Sequence, residues 1–333
     1  MPAAVGLEQV LIGLSPMLCE MQHGALDDHA HRRLSSPLMA VLLITAAFAI
    51  IELAGGLLSG SLALISDSGH MFTDVLALAL SVWASYISMR GPSGRQTFGF
   101  LRVEILVALI NGIALVLISA LIIIEAIDRI QHPVGIEAPL MLVVASAGLV
   151  ANLAGVAILR EKAHDNLNVK GAFMHIFGDM LSSIGVIVGA ILIFLFDLRI
   201  ADPIISLIIS VIIMISAYRI ITQSSYVLLE FTPGEIDVDK VRAAMKEVPG
   251  VVDVHDVHAW TIGSGVFALS AHVQVKDQPV SACSCIVKDC EDLLRDRFRI
   301  SHSTLQLEYE ECRNMVCSLR QATTMLEPGH AEK

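Results

Sequence analysis

Six apolar stretches, at approximately 37–59, 62–88, 101–127, 138–159, 170–196 and 203–224, constrain this chain more than any other feature. A helix that crosses a bilayer needs ~20 mostly apolar residues, and each stretch is that long. Backbone in hydrocarbon must satisfy its own N–H and C=O groups. The fold expected for 37–230 is therefore a membrane domain of six transmembrane helices. Pro37, Pro139 and Pro203 each sit near the start of a stretch, where proline's missing N–H costs least. Gly91-Pro92-Ser93-Gly94 breaks the second stretch from the third. Composition agrees, with only 17% charged residues, against about 25% in an ordinary soluble domain.

Basic residues orient the bundle, because cytoplasmic loops carry the excess of Lys and Arg. Arg32, Arg33, Arg90, Arg95, Arg102, Arg160, Lys162, Lys170 and Arg219 fall on one side, against Arg129 and Arg199 on the other. Both termini are expected in the cytosol. Residues 1–36 read as a flexible tail with His23, His29 and His31 suited to metal capture or simply solvated. The tail lacks the basic start of a signal peptide, since its first basic residue is Arg32. The net charge of −11 lies largely in this tail and in the C-terminal third. No Lys/Arg cluster with interleaved aromatics occurs, which excludes nucleic acid as the expected partner.

Residues 231–312 read as a cytosolic α+β domain, with 313–333 as a tail. Asp237–Val248 has helical apolar spacing and ends at Pro249-Gly250. Val251–Thr261 and Val266–Val275 read as strands around a Gly263-Ser264-Gly265 turn. A helix near 280–298 and a strand at Thr304–Tyr309 complete an α-β-β-α-β order, with helices on one face of a small sheet. Five of the six cysteines lie at or after Cys283. In the cytosol these thiols stay reduced, and Cys283, Cys285 and Cys290 read as small apolar residues of the second helix.

Ionisable residues inside a span are costly and mark function by default. The second stretch carries His70 and Asp74, and the fifth carries His175 and Asp179. Each pair is spaced i, i+4, which stacks both side chains on one helix face. Two facing helices then present two imidazoles and two carboxylates at one depth. The carboxylates neutralise one divalent cation. Mixed nitrogen and oxygen donors at tetrahedral geometry suit Zn²⁺, with Cd²⁺ and Co²⁺ competing for the same set. Mg²⁺ and Ca²⁺ prefer larger all-oxygen shells. The alternative for any one such residue is an interhelical hydrogen bond, but a repeated pair is a poor match to that. Asp67, one turn before His70, and Glu52 in the first stretch are candidates for supporting or proton-handling groups, with interhelical bonding as the alternative.

Larger motifs surround these residues. Gly60-Ser61-Leu62-Ala63-Leu64-Ile65-Ser66-Asp67-Ser68-Gly69-His70 runs into Asp74, and Asn166-Leu167-Asn168-Val169-Lys170 leads into His175 and Asp179. Thr97-Phe98-Gly99-Phe100-Leu101-Arg102-Val103-Glu104, His255-Asp256-Val257-His258-Ala259-Trp260 and His302-Ser303-Thr304-Leu305-Gln306-Leu307-Glu308 complete the set. With these, the chain from about 37 to 310 resembles the cation diffusion facilitators, in their zinc/cadmium/cobalt efflux branch. The resemblance implies a homodimer of six-helix protomers, a ferredoxin-like cytosolic domain, and metal-for-proton antiport by alternating access. Ligands must be deprotonated to hold metal. An acidic exterior therefore favours release, with isolated histidine titrating near pH 6.5.

The resemblance also implies zinc bound in the cytosolic domain as a structural or regulatory ion. The positions carried over for it are His258, His272 and Glu308, with Cys312 and Cys317 beyond them. No prosthetic group and no catalytic residue is expected. The loop at 90–100 has no His, Asp or Glu, and the next cytosolic loop has only His164, which points to a microbial efflux protein of the plasma membrane. Two rival readings remain. A membrane zinc hydrolase would need an open coordination position and a general base. A membrane-anchored zinc sensor acting through its cytosolic domain would find the span histidines and aspartates dispensable.

Overall fold

The computed structural model describes residues 36–88, 94–160, 167–263 and 265–309. Each apolar stretch forms a helix: α1 (Ser36–Ser59), α2 (Leu62–Ser88), α3 (Val103–Gln131), α4 (Ala138–Arg160), α5 (Leu167–Phe196) and α6 (Ala201–Leu228). The chain divides into two compact units, Met1–Ser225 and Tyr226–Lys333. Among the described residues, five stretches, in α1, α3, α4, α5 and α6, are long and apolar enough to cross a membrane. The protein is a multi-pass membrane protein. The remaining helix, α2, is 27 residues long and carries the polar residues Asp67, His70 and Asp74.

In the membrane unit α1 packs on α2 and α4, α2 on α3, and α4 on α5. Without a hydrophobic driving force between helices in lipid, small residues let backbones approach. Ala63 of α2, Ala145 of α4, Ala190 of α5 and Ala217 of α6 are all buried in one core. Larger side chains, Leu64, Leu115, Met141, Val186, Ile209 and Ile213, fill the space between them. Gly55 of α1 is an obligate close approach, since a Cβ there would sit 2.7 Å from Val144 Cγ2. The outward faces stay apolar, as in Leu117, Leu121 and Ile124 of α3, which suits contact with lipid tails.

The second unit contains α7 (Val238–Lys246), β1 (Val251–Gly263), β2 (Val266–Val275), α8 (Val280–Phe298) and β3 (Ile300–Glu308). Asp237 caps α7, its side chain accepting from the backbone N–H groups of Asp239 and Lys240. Those bonds, that from Lys240 first, hold the Asp237 carboxyl below its usual range. At the far end of α8, Arg299 adopts φ 56° and its N–H returns to Arg295 and Leu294 carbonyls. The sheet order is β1-β2-β3. β1 and β2 are antiparallel, whereas β2 and β3, joined through α8, are parallel.

Alternation along β2 separates the two faces of this sheet. Phe267, Leu269, Ala271, Val273 and Val275 enter a core with Val241 and Met245 of α7 and Cys290 and Leu294 of α8. Ser270, His272 and Gln274 point the other way and are half-buried. That polar face carries the second candidate site.

Candidate metal sites in the two units

Burial explains why the polar stretch of α2 folds as helix. Its backbone bonds are made within the helix, and its side chains find partners on neighbours. Asp67 accepts a 2.6 Å hydrogen bond from Ser182 Oγ of α5. Ser66 Oγ lies 3.2 Å from Ser210 Oγ of α6, and Thr73 Oγ1 donates to the His70 carbonyl at 2.7 Å.

One turn beyond Asp67, three ionisable groups converge. His70 Nε2 lies 3.3 Å from Asp74 Oδ2 on its own helix. The same nitrogen lies 3.8 Å from Asp179 Oδ1 on α5. Asp179 is only 3% exposed, while His70 and Asp74 are each 23% exposed. One side of the cluster is thus sealed and the other is open. His175 lies on α5 one turn before Asp179, and its side chain falls outside the described residues.

Behind this cluster lies a second layer of oxygen. Glu52 of α1 is fully buried, and among the described residues neither of its carboxylate oxygens has a hydrogen-bond partner. It interacts electrostatically with Asp67 and Asp179. Asn152 of α4 donates to Ser183 Oγ at 3.4 Å. Carboxylates from α1, α2 and α5 concentrate negative charge in the bundle interior, an arrangement that a cation relieves.

In the second unit His255, His272 and Glu308 form a group whose candidate ligand atoms all lie within 4.8 Å of one another. The register builds it. His255 of β1 is paired directly with His272 of β2, and their rings meet edge to face with centroids 5.3 Å apart. Glu308, at the end of β3, reaches both, with Oε1 2.9 Å from His272 Nδ1 and Oε2 3.4 Å from His255 Nε2. Gln306 Nε2 donates to Glu308 Oε1 at 2.8 Å and aims it. His272 Nδ1 is buried and makes no hydrogen bond among the described residues despite its short approach to Glu308. Two imidazoles and a carboxylate with converging lone pairs fit Zn²⁺.

Of the positions expected for this site, His272 and Glu308 fall in the group together with His255, and His258 lies further along β1 beyond an irregularity in the strand. Between His255 and His258 the register slips by one residue, a β-bulge at which Asp256 takes φ 49°. The extra residue places His258 opposite Ser270, on the same face of the sheet as His272, whereas a regular strand would put it opposite Leu269. His258 Nε2 lies 3.1 Å from Asp256 Oδ1. Asp256 Oδ2 in turn lies 3.9 Å from His272 Nε2, behind the nitrogen that faces Glu308. Cys312 and Cys317 lie outside the described residues. Of the helix cysteines, Cys283 and Cys290 are buried and Cys285 is exposed. Burial, aided by Asp289 and Glu291, pushes the Cys290 thiol up to about 11, so it is neutral and a poor metal ligand.

Comparison with known proteins follows the same division into two units. Residues 38–229 match the family described as cation efflux transmembrane domain. Residues 233–310 match the cation efflux protein cytoplasmic domain. The chain is 38% identical over 307 residues to the zinc transporter ZitB of Escherichia coli, covering 92% of this chain and 94% of that protein. It is 40% identical over 287 residues to a cadmium, cobalt and zinc/H(+)-K(+) antiporter of Bacillus velezensis, covering 84% and 91%. It is 37% identical over 275 residues to the metal cation efflux system protein CzcD of Cupriavidus metallidurans, covering 83% and 87%. These relatives carry the names of transporters, not of enzymes.

Proposed function

Since the chain belongs to the cation efflux family, we propose that it exports Zn²⁺ from the cytosol, with Cd²⁺ and Co²⁺ as further substrates, in exchange for protons. The observation that carries this reading is the convergence of His70 and Asp74 of α2 with Asp179 of α5 inside an apolar bundle. His175, one turn before Asp179, supplies the fourth ligand. The names of the relatives support the substrate class, and an antiporter among them supports coupling to protons.

The donor set explains the exchange. Ionised carboxylates and neutral imidazoles bind the ion from the open side. Protons then compete for the same atoms when the site faces a more acidic compartment. Glu52 and Asp67 lie behind the ligands and serve as supporting or proton-handling groups. The six helices α1–α6 all span the membrane, α2 included, with both termini in the cytosol and the protein in the plasma (inner) membrane of a microbe.

The α-β-β-α-β order supports a ferredoxin-like class for the second unit, through which two copies form a homodimer. There His255, His272 and Glu308 would hold a further Zn²⁺, which supplies a structural or regulatory cross-link between three strands.

The test is uptake of radiolabelled Zn²⁺ into proteoliposomes under an imposed pH gradient, comparing the native chain with Asp179→Ala. Proton-driven uptake that the substitution abolishes supports transport through this site. Uptake indifferent to both the gradient and the substitution overturns it, and favours a membrane-anchored zinc sensor working through the second unit.

A further inference from the structure

The start of α2 is held by a residue from another helix. An α-helix leaves its first N–H groups without intrahelical partners, and here that end is deeply buried, with Ser61 and Ala63 at 0% exposure. Asp202, in the first turn of α6, supplies the acceptors. Its Oδ2 accepts from Leu62 N at 2.8 Å, and its Oδ1 accepts from Ala63 N at 3.2 Å and from Ser61 Oγ at 2.6 Å. Ser61 Oγ takes the next donor, Leu64 N, at 3.2 Å.

Around this carboxylate the ends of further helices are tied. Gly60 turns the chain with φ +74°, and its carbonyl accepts from Arg129 of α3 at 2.6 Å. The Ser59 carbonyl accepts from Glu137 N, just before α4, at 2.9 Å. Ser66 meets Ser210 one turn further along, a second tie between α2 and α6.

We propose that Asp202 is a positioning residue for transport: by capping α2 from α6 it fixes the height and rotation of the helix that carries His70 and Asp74. His70 lies eight residues beyond Leu62, about 12 Å along the helix at about 1.5 Å per residue. A shift at the capped end is therefore carried to the cluster as a rigid displacement. Loss of the carboxylate orphans two buried N–H groups, and they regain partners only if the helix start moves or water enters. Either change alters the 3.8 Å approach of His70 to Asp179. The inference rests on reading His70 and Asp74 as metal ligands.

The experiment uses the purified full chain in proteoliposomes and measures the Zn²⁺ dependence of transport. The variants are Asp202→Ala, Asp202→Asn, the exchanged pair Ser61→Asp with Asp202→Ser, and His70→Ala. For Asp202→Ala the KM for Zn²⁺ is expected to rise about tenfold, the lower end of what loss of a supporting contact costs a metal site. The maximal rate per folded protomer should change far less. Asp202→Asn retains one acceptor oxygen and should show a smaller rise, and the exchanged pair should return KM close to native. A merely structural role would reduce the yield of folded protein without moving KM. Unchanged KM in Asp202→Ala and Asp202→Asn overturns the proposal. So does an exchanged pair no better than Asp202→Asn, and this arm decides the matter if Asp202→Ala does not fold. If His70→Ala itself leaves KM unchanged, the reading of the metal site fails and the inference falls with it. If only the Asp202 variants are silent, the inference alone fails.

Discussion

A Cβ placed on Gly148 of α4 would fall on Oε1 of Glu52 of α1, so the buried carboxylate occupies the space that any side chain at 148 would need. Glycine here is a matter of room and not of backbone freedom. Gly148→Ala should force Glu52 out of its seat and cost about 1–3 kcal/mol, the usual range for overpacking. Thermal unfolding of the detergent-solubilised protein measures it. A melting temperature equal to the native one would mean that Glu52 has another resting place.

Ser182 gives Asp67 a short hydroxyl donor, at 2.6 Å. Ser182→Ala leaves that buried oxygen without this partner and should cost about 1–3 kcal/mol. Asp67 is 1% exposed, so water has little room to take the donor's place. The same unfolding experiment, repeated with Ser182→Thr, should show recovery of most of the loss, because the hydroxyl is restored.

The zinc site proposed for the second unit should separate two neighbouring histidines. In an Asp179→Ala background, which removes the proposed transport site, His255→Ala should lower zinc affinity at least tenfold. His258→Ala removes a partner of Asp256 and not a member of the group, and should cost less than His255→Ala. Equilibrium dialysis against a chelator-buffered zinc series gives both numbers. Equal effects of the two substitutions would refute the assignment of His255 to the cluster.

Thiol chemistry should follow burial. Cys285 is exposed, whereas Cys290 is buried with its thiol pushed up to about 11. Since the thiolate is the reacting species, a maleimide at neutral pH should label Cys285 quickly and Cys290 only after denaturation. Peptide mapping by mass spectrometry after timed labelling reads the order directly.

The long apolar helices and the approach of His70 and Asp74 to Asp179 were legible because their signals are local. Apolar runs of ~20 residues need no tertiary information, and an i, i+4 pair declares its shared helix face from spacing alone. Two features were hidden. Asp202 reads in sequence as an acidic first-turn residue serving its own helix, yet its carboxylate serves α2, some 140 positions earlier in the chain. His255 meets His272 through direct β1–β2 pairing, and the extra residue at Asp256 keeps His258 on that same polar face. A non-glycine residue at φ 49° leaves little trace in sequence beyond the tolerance of Asp for that region.

The members of the second cluster come one from each strand of a sheet whose last pairing is parallel and crosses through α8. Glu308 closes β3, so the ribosome must pass that residue before all three side chains exist together. Parallel pairing across a helix is a slow, non-local step. An ion held by His255, His272 and Glu308 would therefore recognise only a finished domain. Zinc supply would then influence how many newly made chains reach the assembled state, before any ion crosses the membrane.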